Sequence, residues 1–86
     1  MKKLSILSRL NKQEVFSKHP LVEITGTKRV LIENHQGVIG YSPEEIQIKE
    51  GYGVLSVTGR GLTFIQLNRE KLVISGQIDG VLLLRR

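Results

Sequence analysis

Eighty-six residues make one small domain, and such a chain buries roughly 60–65% of the surface that it exposes when unfolded. The sequence contains no cysteine, which excludes a disulfide framework and a thiolate metal site. The net charge of +5 is uneven, because residues 1–19 carry five bases and one acid whereas residues 20–84 carry six bases and seven acids. A protein that follows phosphates needs several bases on one ordered face, so this near-neutral body argues against nucleic-acid binding.

The first 19 residues predict a basic, amphipathic N-terminal arm ahead of a single β domain at residues 20–86. Three leucines recur at three-residue steps, the spacing of one helical stripe, with bases beside them. The residues expected to contact a membrane or a partner are Lys2, Lys3, Leu4, Leu7, Arg9, Leu10 and Lys12. The other interpretation is a frayed arm or a short helix that docks on the sheet. The apolar stretch of a secretion signal is interrupted, and about 18 residues of apolar sequence are nowhere present, so we expect a cytoplasmic protein.

From Leu21 onward, short runs of β-branched and apolar residues predict strands at 21–25, 28–33, 38–41, 45–49, 54–58, 62–67, 72–75 and 78–84. Seven or eight short strands favour an all-β fold, an antiparallel two-layer sandwich, with a partly closed barrel or roll as the alternative. The continuous apolar runs at 30–32 and 81–84 indicate strands covered on both faces.

Glycine and polar residues separate these strands, and 50–51 and 59–61 are typical of hairpin connections. Tight turns are also expected at 26–27, 34–37, 42–44, 68–70 and 79–80. Proline is nearly absent from the strands. The sheet edges must therefore be protected by charged side chains and the tails, or pair with another chain.

A faint internal repeat aligns residues 42–48 with residues 68–74, an offset of 26. Two copies are too few for a solenoid, so they predict two hairpin-like units of one domain. Within the first copy, Glu45 follows Ser42 by three residues, the spacing of a capping box on a helical turn.

Side chains that could carry chemistry are few. His19 and His35 are the only histidines, and no carboxylate lies at metal-ligand spacing from them. An enzyme would require a pocket that gathers His35 with Glu33 or Asp79, and Asp79 is already explained by an Asp-Gly turn. We therefore predict no catalytic, metal-binding or cofactor-binding residues, and no cofactor.

Several small motifs resemble the YabP/YqfC family of sporulation proteins of endospore-forming bacteria. The segments that carry the resemblance are EITGTKRV (23–30), IENHQGV (32–38), YSPEEI (41–46), YGVL (52–55), VTG (57–59) and LVISGQI (72–78). They cover roughly residues 20–84. The IENH-x-G stretch is closer to the YqfC branch and ITG-x-KRV to the YabP branch, so the branch stays open.

The resemblance implies a non-enzymatic protein with an immunoglobulin-like sandwich, made in the mother cell and needed for spore-envelope maturation. The matching residues are mostly turn glycines and strand hydrophobics, and Asn34 and His35 are the polar pair to test for function. We expect an assembly or scaffold module that pairs through a strand edge, with itself or with a protein partner such as a membrane protein of the developing spore. Its arm would contact that partner or an anionic membrane, which would place it peripherally at the forespore membrane.

The alternative from the residues alone is a small-barrel nucleic-acid-binding protein. It would require several bases of the body to converge on one face, such as Lys28, Arg29, Lys49 and Arg60.

Overall fold

The computed structural model describes residues 21–51 and 53–85, and these form six strands in one antiparallel sheet. The strands are β1 (Leu21–Thr25), β2 (Arg29–Glu33), β3 (Val38–Tyr41), β4 (Glu45–Glu50), β5 (Gly53–Leu67) and β6 (Lys71–Arg85). Their order across the sheet is β1-β2-β6-β5-β4-β3, and every pair of neighbours is antiparallel. The described residues contain no helix, so the all-β, antiparallel prediction is confirmed.

β5 and β6 each span 15 residues, where the sequence predicted two short strands apiece. The predicted hairpin at 59–61 is wrong, because β5 continues through these residues with shifts of register on either side. A Cβ at Gly59 would overlap the carbonyl oxygen of Gln77, so only glycine allows the two strands to approach this closely. The predicted turn at 79–80 also lies inside a strand, β6. The glycines here bend strands rather than end them.

The bends divide the sheet into two four-stranded halves. The first half-sheet contains β3, β4, residues 53–58 of β5 and residues 80–85 of β6. The second half-sheet contains residues 63–67 of β5, residues 71–75 of β6, β2 and β1.

The inward faces of the two half-sheets share one aliphatic core. Among the described residues, the core cluster consists of Val30, Ile32, Ile46, Ile48, Leu55, Val57, Leu62, Leu72, Ile74 and Ile78. Because these come from both halves and most are fully shielded from solvent, the halves pack face to face. One continuous sheet therefore forms both layers of a sandwich-like fold.

The internal repeat corresponds to two hairpins with the same geometry. The first hairpin is residues 38–50, and the second hairpin is residues 64–76. In the first, Val38 pairs with Ile48 and Tyr41 with Ile46. Moving each number by 26 gives the pairs of the second, which are Phe64 with Ile74 and Leu67 with Leu72. Both hairpins also shift register at the same place, after Val38 and after Phe64.

The turns of the two hairpins are equivalent as well. Ser42 Oγ accepts hydrogen bonds from the Glu44 and Glu45 N–H groups at 3.3 and 3.1 Å. The Oδ1 atom of Asn68 accepts from the N–H groups of Glu70 and Lys71 at 3.0 and 2.8 Å. Ser42 thus caps the start of a strand, and the helical turn predicted there is wrong. A side-chain acceptor that binds N–H groups two and three residues later stabilises either kind of turn.

Candidate interaction surface

The N-terminal arm lies outside the described residues. Its predicted contact residues, Lys2, Lys3, Leu4, Leu7, Arg9, Leu10 and Lys12, and the domain boundary after residue 19 therefore stay predictions. The chain leaves the arm at Leu21, the first residue of β1, which is an edge strand of the sheet. No helix in the described ranges is long and apolar enough to cross a membrane.

The predicted polar pair, Asn34 and His35, lies in the loop between β2 and β3. Asn34 has a φ of 64°, and its N–H donates to the Glu70 carbonyl at 2.9 Å. Asparagine adopts this left-handed conformation more readily than most residues. Asn34 therefore reverses the chain while it ties the loop to the turn of the second hairpin.

His35 links the same loop to the same turn through its ring. The Gly37 N–H donates to Nδ1 at 3.0 Å, and Nε2 lies 2.9 Å from the carbonyl oxygen of Asn68. Because a carbonyl only accepts, Nε2 carries the ring proton and Nδ1 is the acceptor. Both nitrogens thus have partners within the chain, which gives His35 a structural role; a functional role for the pair stays a prediction.

The first hairpin closes one side of the sandwich against the second half-sheet. The Tyr41 hydroxyl donates to the Leu62 carbonyl at 3.0 Å, and the rings of Tyr41 and Phe64 lie 5.5 Å apart between centroids. With the His35 bridge, these contacts cover the inward face between β3 and residues 63–67 of β5. These contacts join the two half-sheets on this side, although Tyr41 and Leu67 are themselves each 54% exposed.

The opposite side of the sandwich is open. There the edge strands are β1 and the end of β6, and side chains on the core face stay exposed. Val22 and Ile24 pair with the buried Ile32 and Val30, yet are themselves 39% and 52% exposed. Leu83 pairs with the buried Leu55 in the same way and is 45% exposed. The apolar core face thus continues to an edge where the described residues provide no cover.

The end of β6 is apolar on both faces. Leu82, Leu83 and Leu84 are consecutive, and their exposed fractions are 58%, 45% and 44%. Among the described residues, positions 80–85 pair only with β5, and Asp79 is the extra residue where the register shifts. The other side of residues 79–85 is an unpaired edge, which we call the β6 edge. The expectation that residues 81–84 are covered on both faces is therefore wrong for the described part of the chain. The continuous apolar run was the available signal, but it did not reveal that the neighbouring strand β2 begins at Arg29, opposite Ser75, and so does not reach residues 79–85.

The bases required by the nucleic-acid alternative are only partly grouped. The carbonyl oxygen of Lys28 accepts from the Gly76 N–H at 3.2 Å, Arg29 pairs with Ser75, and a Cβ at Gly76 would lie 3.0 Å from the Arg60 carbonyl oxygen. Three of the four bases therefore surround the bend of β6. Lys49 lies in the other half-sheet, where its N–H donates to Gly37. Nucleic-acid binding stays an alternative prediction.

The groups required for catalysis do not line one cleft. His35 lines a surface cleft with Val38 and Leu67, and Glu33 lines an adjacent cleft of about 510 Å³; Asn68 lines both clefts. Asp79 is in β6, where it follows the buried Ile78. Within residues 21–51 and 53–85, no group of three histidine, aspartate or glutamate residues is placed to hold a metal ion. That the protein is not an enzyme stays a prediction.

Comparison with known families identifies the chain. The sequence model of the YabP family matches residues 17–85, which is most of the chain. The chain belongs to the YabP family. This confirms the family inferred from the sequence motifs and makes the YabP-family chain a sporulation-related protein. No curated protein matches it.

Proposed function

We propose that this YabP-family protein is a non-enzymatic assembly module of the sporulating cell, which joins other proteins through an unpaired strand edge. The observation that carries the proposal is the β6 edge with its three exposed leucines. An edge strand presents a row of free N–H and C=O groups, and added strands bind by completing that row. Exposed apolar side chains on both faces of the edge supply the affinity that the main chain alone lacks.

The arm adds attraction to an anionic surface. Residues 1–19 carry a net charge of +4, and each base near an anionic membrane contributes about 1 kcal/mol of attraction at the surface. Several such charges bind a small protein reversibly. The module would thus work in the cytoplasm of the mother cell, at the surface of the forespore membrane, with the β6 edge free to bind protein.

The edge can be tested in sporulating cells with a matched pair of substitutions. Leu82→Glu places a charge on the β6 edge, and Ile39→Glu places the same charge on a side chain of similar exposure (54%) in β3. We expect Leu82→Glu to lower the yield of heat-resistant spores and Ile39→Glu to leave it near that of the parent. Circular dichroism of both purified variants checks that they fold. Normal sporulation with Leu82→Glu would refute the edge as the functional surface.

The arm can be tested on the full chain by flotation with anionic liposomes at physiological salt. The variant replaces four bases, Lys2, Lys3, Arg9 and Lys12, with glutamine. We expect the parent to float and the variant to remain in solution, because the attraction depends on charge. Equal flotation of both proteins would remove the basic arm from the proposal and leave the edge as the only contact.

A further inference from the structure

We propose that the β6 edge pairs with the β6 edge of a second copy of the chain. The two segments run antiparallel, and Leu82 of one copy lies opposite Leu82 of the other. This inference rests on the proposed function and identifies the protein that the edge binds. This pairing joins the first half-sheet of one copy to the first half-sheet of the other. The result is one eight-stranded sheet with a twofold axis at its centre.

The geometry of β6 shows which main-chain groups face the second copy. A Cβ at Gly53 would overlap the Leu84 carbonyl oxygen and lie 3.0 Å from the Cα atom of Arg85. This close approach marks Gly53 and Arg85 as a pair without mutual hydrogen bonds, so Leu84 is the residue that bonds to β5. Since direction alternates along a strand, the N–H and C=O groups of Val81 and Leu83 face the open edge.

The outward N–H and C=O groups of one copy can hydrogen-bond to those of the other when the twofold axis passes through Leu82. With the segments antiparallel, Val81 of one copy lies opposite Leu83 of the other, and each such pair exchanges both of its hydrogen bonds. If the register were shifted by one residue, the N–H and C=O groups that face the open edge in one copy would lie opposite residues of the other copy whose groups bond to β5. The other registers that allow hydrogen bonding are therefore shifted by at least two residues.

Charge selects among those registers. The segment DGVLLLR begins with Asp79 and ends with Arg85, so the register centred on Leu82 brings Asp79 of each copy beside Arg85 of the other. Asp79 is the extra residue at the register shift between β5 and β6, and residues 80–85 are in one continuous register. Opposite charges on facing strand positions are favourable. A shift by two residues would place Arg85 opposite Val81 or Gln77 and lose both charge pairs. The sequence of the edge is thus self-complementary in one register.

The same register covers the exposed leucines on both faces. On the core face, Leu83 lies opposite Val81 of the second copy. On the outer face, Leu82 packs on Leu82, and Leu84 lies opposite Gly80, which leaves space for it. Both apolar rows are removed from water in one association step.

The three other edges fit a second copy less well. Residues 63–67 of β5 pair only with β6 and carry the exposed Ile65 and Leu67, but their pairing shifts register after Phe64. Pairing all five residues of β1 with another β1 would place Glu23 opposite Glu23 at the centre, and like charges in that position are unfavourable. β3 has only four residues and shifts register after Val38, whereas the six residues 80–85 of β6 keep one register with β5. Within the described part of the chain, the β6 edge is the one suited to self-association.

Cysteine cross-linking tests the register directly, because the chain has no cysteine of its own. In Leu82→Cys the two Cα atoms face each other at about 4.5 Å, within the range of a disulfide. In Leu84→Cys the two positions are about 13 Å apart along the strands, although the residue is also exposed. Under mild oxidation we expect Leu82→Cys to form a covalent dimer about tenfold faster than Leu84→Cys. Equal rates would overturn the register.

Charge reversal on the full chain tests the pairing without a cross-link. Sedimentation of the parent should give twice the 9.7 kDa mass of one chain. Asp79→Arg alone or Arg85→Asp alone should raise the dissociation constant about tenfold, because like charges then face each other, and the double variant should restore it. A monomeric parent would overturn the proposal.

Hydrogen exchange on such a monomer would show what takes the place of the second copy. Protected amides at Val81 and Leu83 would mean that the arm covers the edge, and rapid exchange would leave it open to a different protein. Neither result supports self-association. The proposed function is judged separately by the spore yield of Leu82→Glu, which can fall whether the parent is a dimer or a monomer.

Discussion

The first and second hairpins have the same register, the same bulge and the same turn, although their sequences share little. Between residues 42–48 and 68–74, only Glu44 with Glu70 and Ile48 with Ile74 are identical. Beyond Glu44 and Glu70, the two hairpins have in common a class of residue at three positions. A short side-chain acceptor opens the turn, and β-branched or aliphatic residues face the core two and four positions into the next strand.

The hairpins differ in the path that the chain takes beyond them. After the first hairpin, the chain reverses at Glu50 and Gly51 and returns along β4 as β5. After the second, it passes through Gly76, at the position that corresponds to Glu50, and continues as the same strand. β2 then occupies the place beside β6 that a returning strand would have taken. This single difference places residues 79–85 at an edge of the first half-sheet.

Because the hairpins are equivalent, we expect corresponding core residues of the two to contribute equally to the stability of the fold. Ile48 and Ile74 hold corresponding positions, and both side chains are fully buried. We expect Ile48→Ala and Ile74→Ala each to lower the free energy of unfolding by about 3–4 kcal/mol, from lost burial and the cavity that remains. Urea denaturation monitored by circular dichroism measures both values. If one substitution cost less than about 1 kcal/mol, the two hairpins would not be equivalent in the core.

The next largest loss of stability is expected at Gly76, where the path of the chain after the second hairpin departs from that after the first. Gly76 has a φ of +143°, and a Cβ there would lie 2.7 Å from the Gly61 carbonyl oxygen. Gly76→Ala should therefore cost about 2–3 kcal/mol in the same unfolding assay.

Gly51 provides the control for this glycine. A Cβ at Gly51 meets no atom within 4 Å, so Gly51→Ala should change stability by less than about 0.5 kcal/mol. Similar losses for both variants would show that the bend in β6 is not a special constraint.

These glycines also show how far the sequence predicts the fold. Strand positions, most turns and the repeat can be inferred from local patterns, since each depends on residues within one hairpin. The ends of β5 and β6 cannot be inferred in this way, because a glycine in a tight turn and a glycine in a bent strand are flanked by similar local sequences. Gly59 is distinguished by the carbonyl of Gln77, which the chain reaches 18 positions later.

The candidate surface was harder to predict for a similar reason. A run of four apolar residues at 81–84 is typical of a strand with neighbours and cover on both sides. Whether a neighbour is present depends on where β2 begins, and that is set by the turn at Gly26 to Lys28, where the Lys28 N–H donates to the Thr25 carbonyl. His35 was correctly placed between two strands, but its partner Asn68 lies 33 positions away.

The contacts that join the first hairpin to the second half-sheet predict a smaller effect. Tyr41→Phe removes the hydroxyl that donates to Leu62 and keeps the ring beside Phe64. We expect a loss of about 1 kcal/mol, the net contribution of one hydrogen bond. His35→Ala removes two hydrogen bonds and should cost about 1–2 kcal/mol. The exposed Gln36 serves as the control, and a loss from Gln36→Ala as large as that from His35→Ala would argue against a specific bridge.

The smallest effect is expected from exchanging the two turn acceptors. Ser42→Ala and Asn68→Ala each leave two strand-entry N–H groups without their side-chain acceptor and should cost about 1 kcal/mol. Ser42→Asn and Asn68→Ser keep an acceptor within reach of the same N–H groups, so each should change stability by less than about 0.5 kcal/mol. Urea denaturation of the four variants separates the outcomes. If the exchanges destabilise as much as the alanines, each turn depends on the particular side chain. If they are neutral, the class of acceptor is enough, which explains how the two hairpins keep one geometry with so few identical residues.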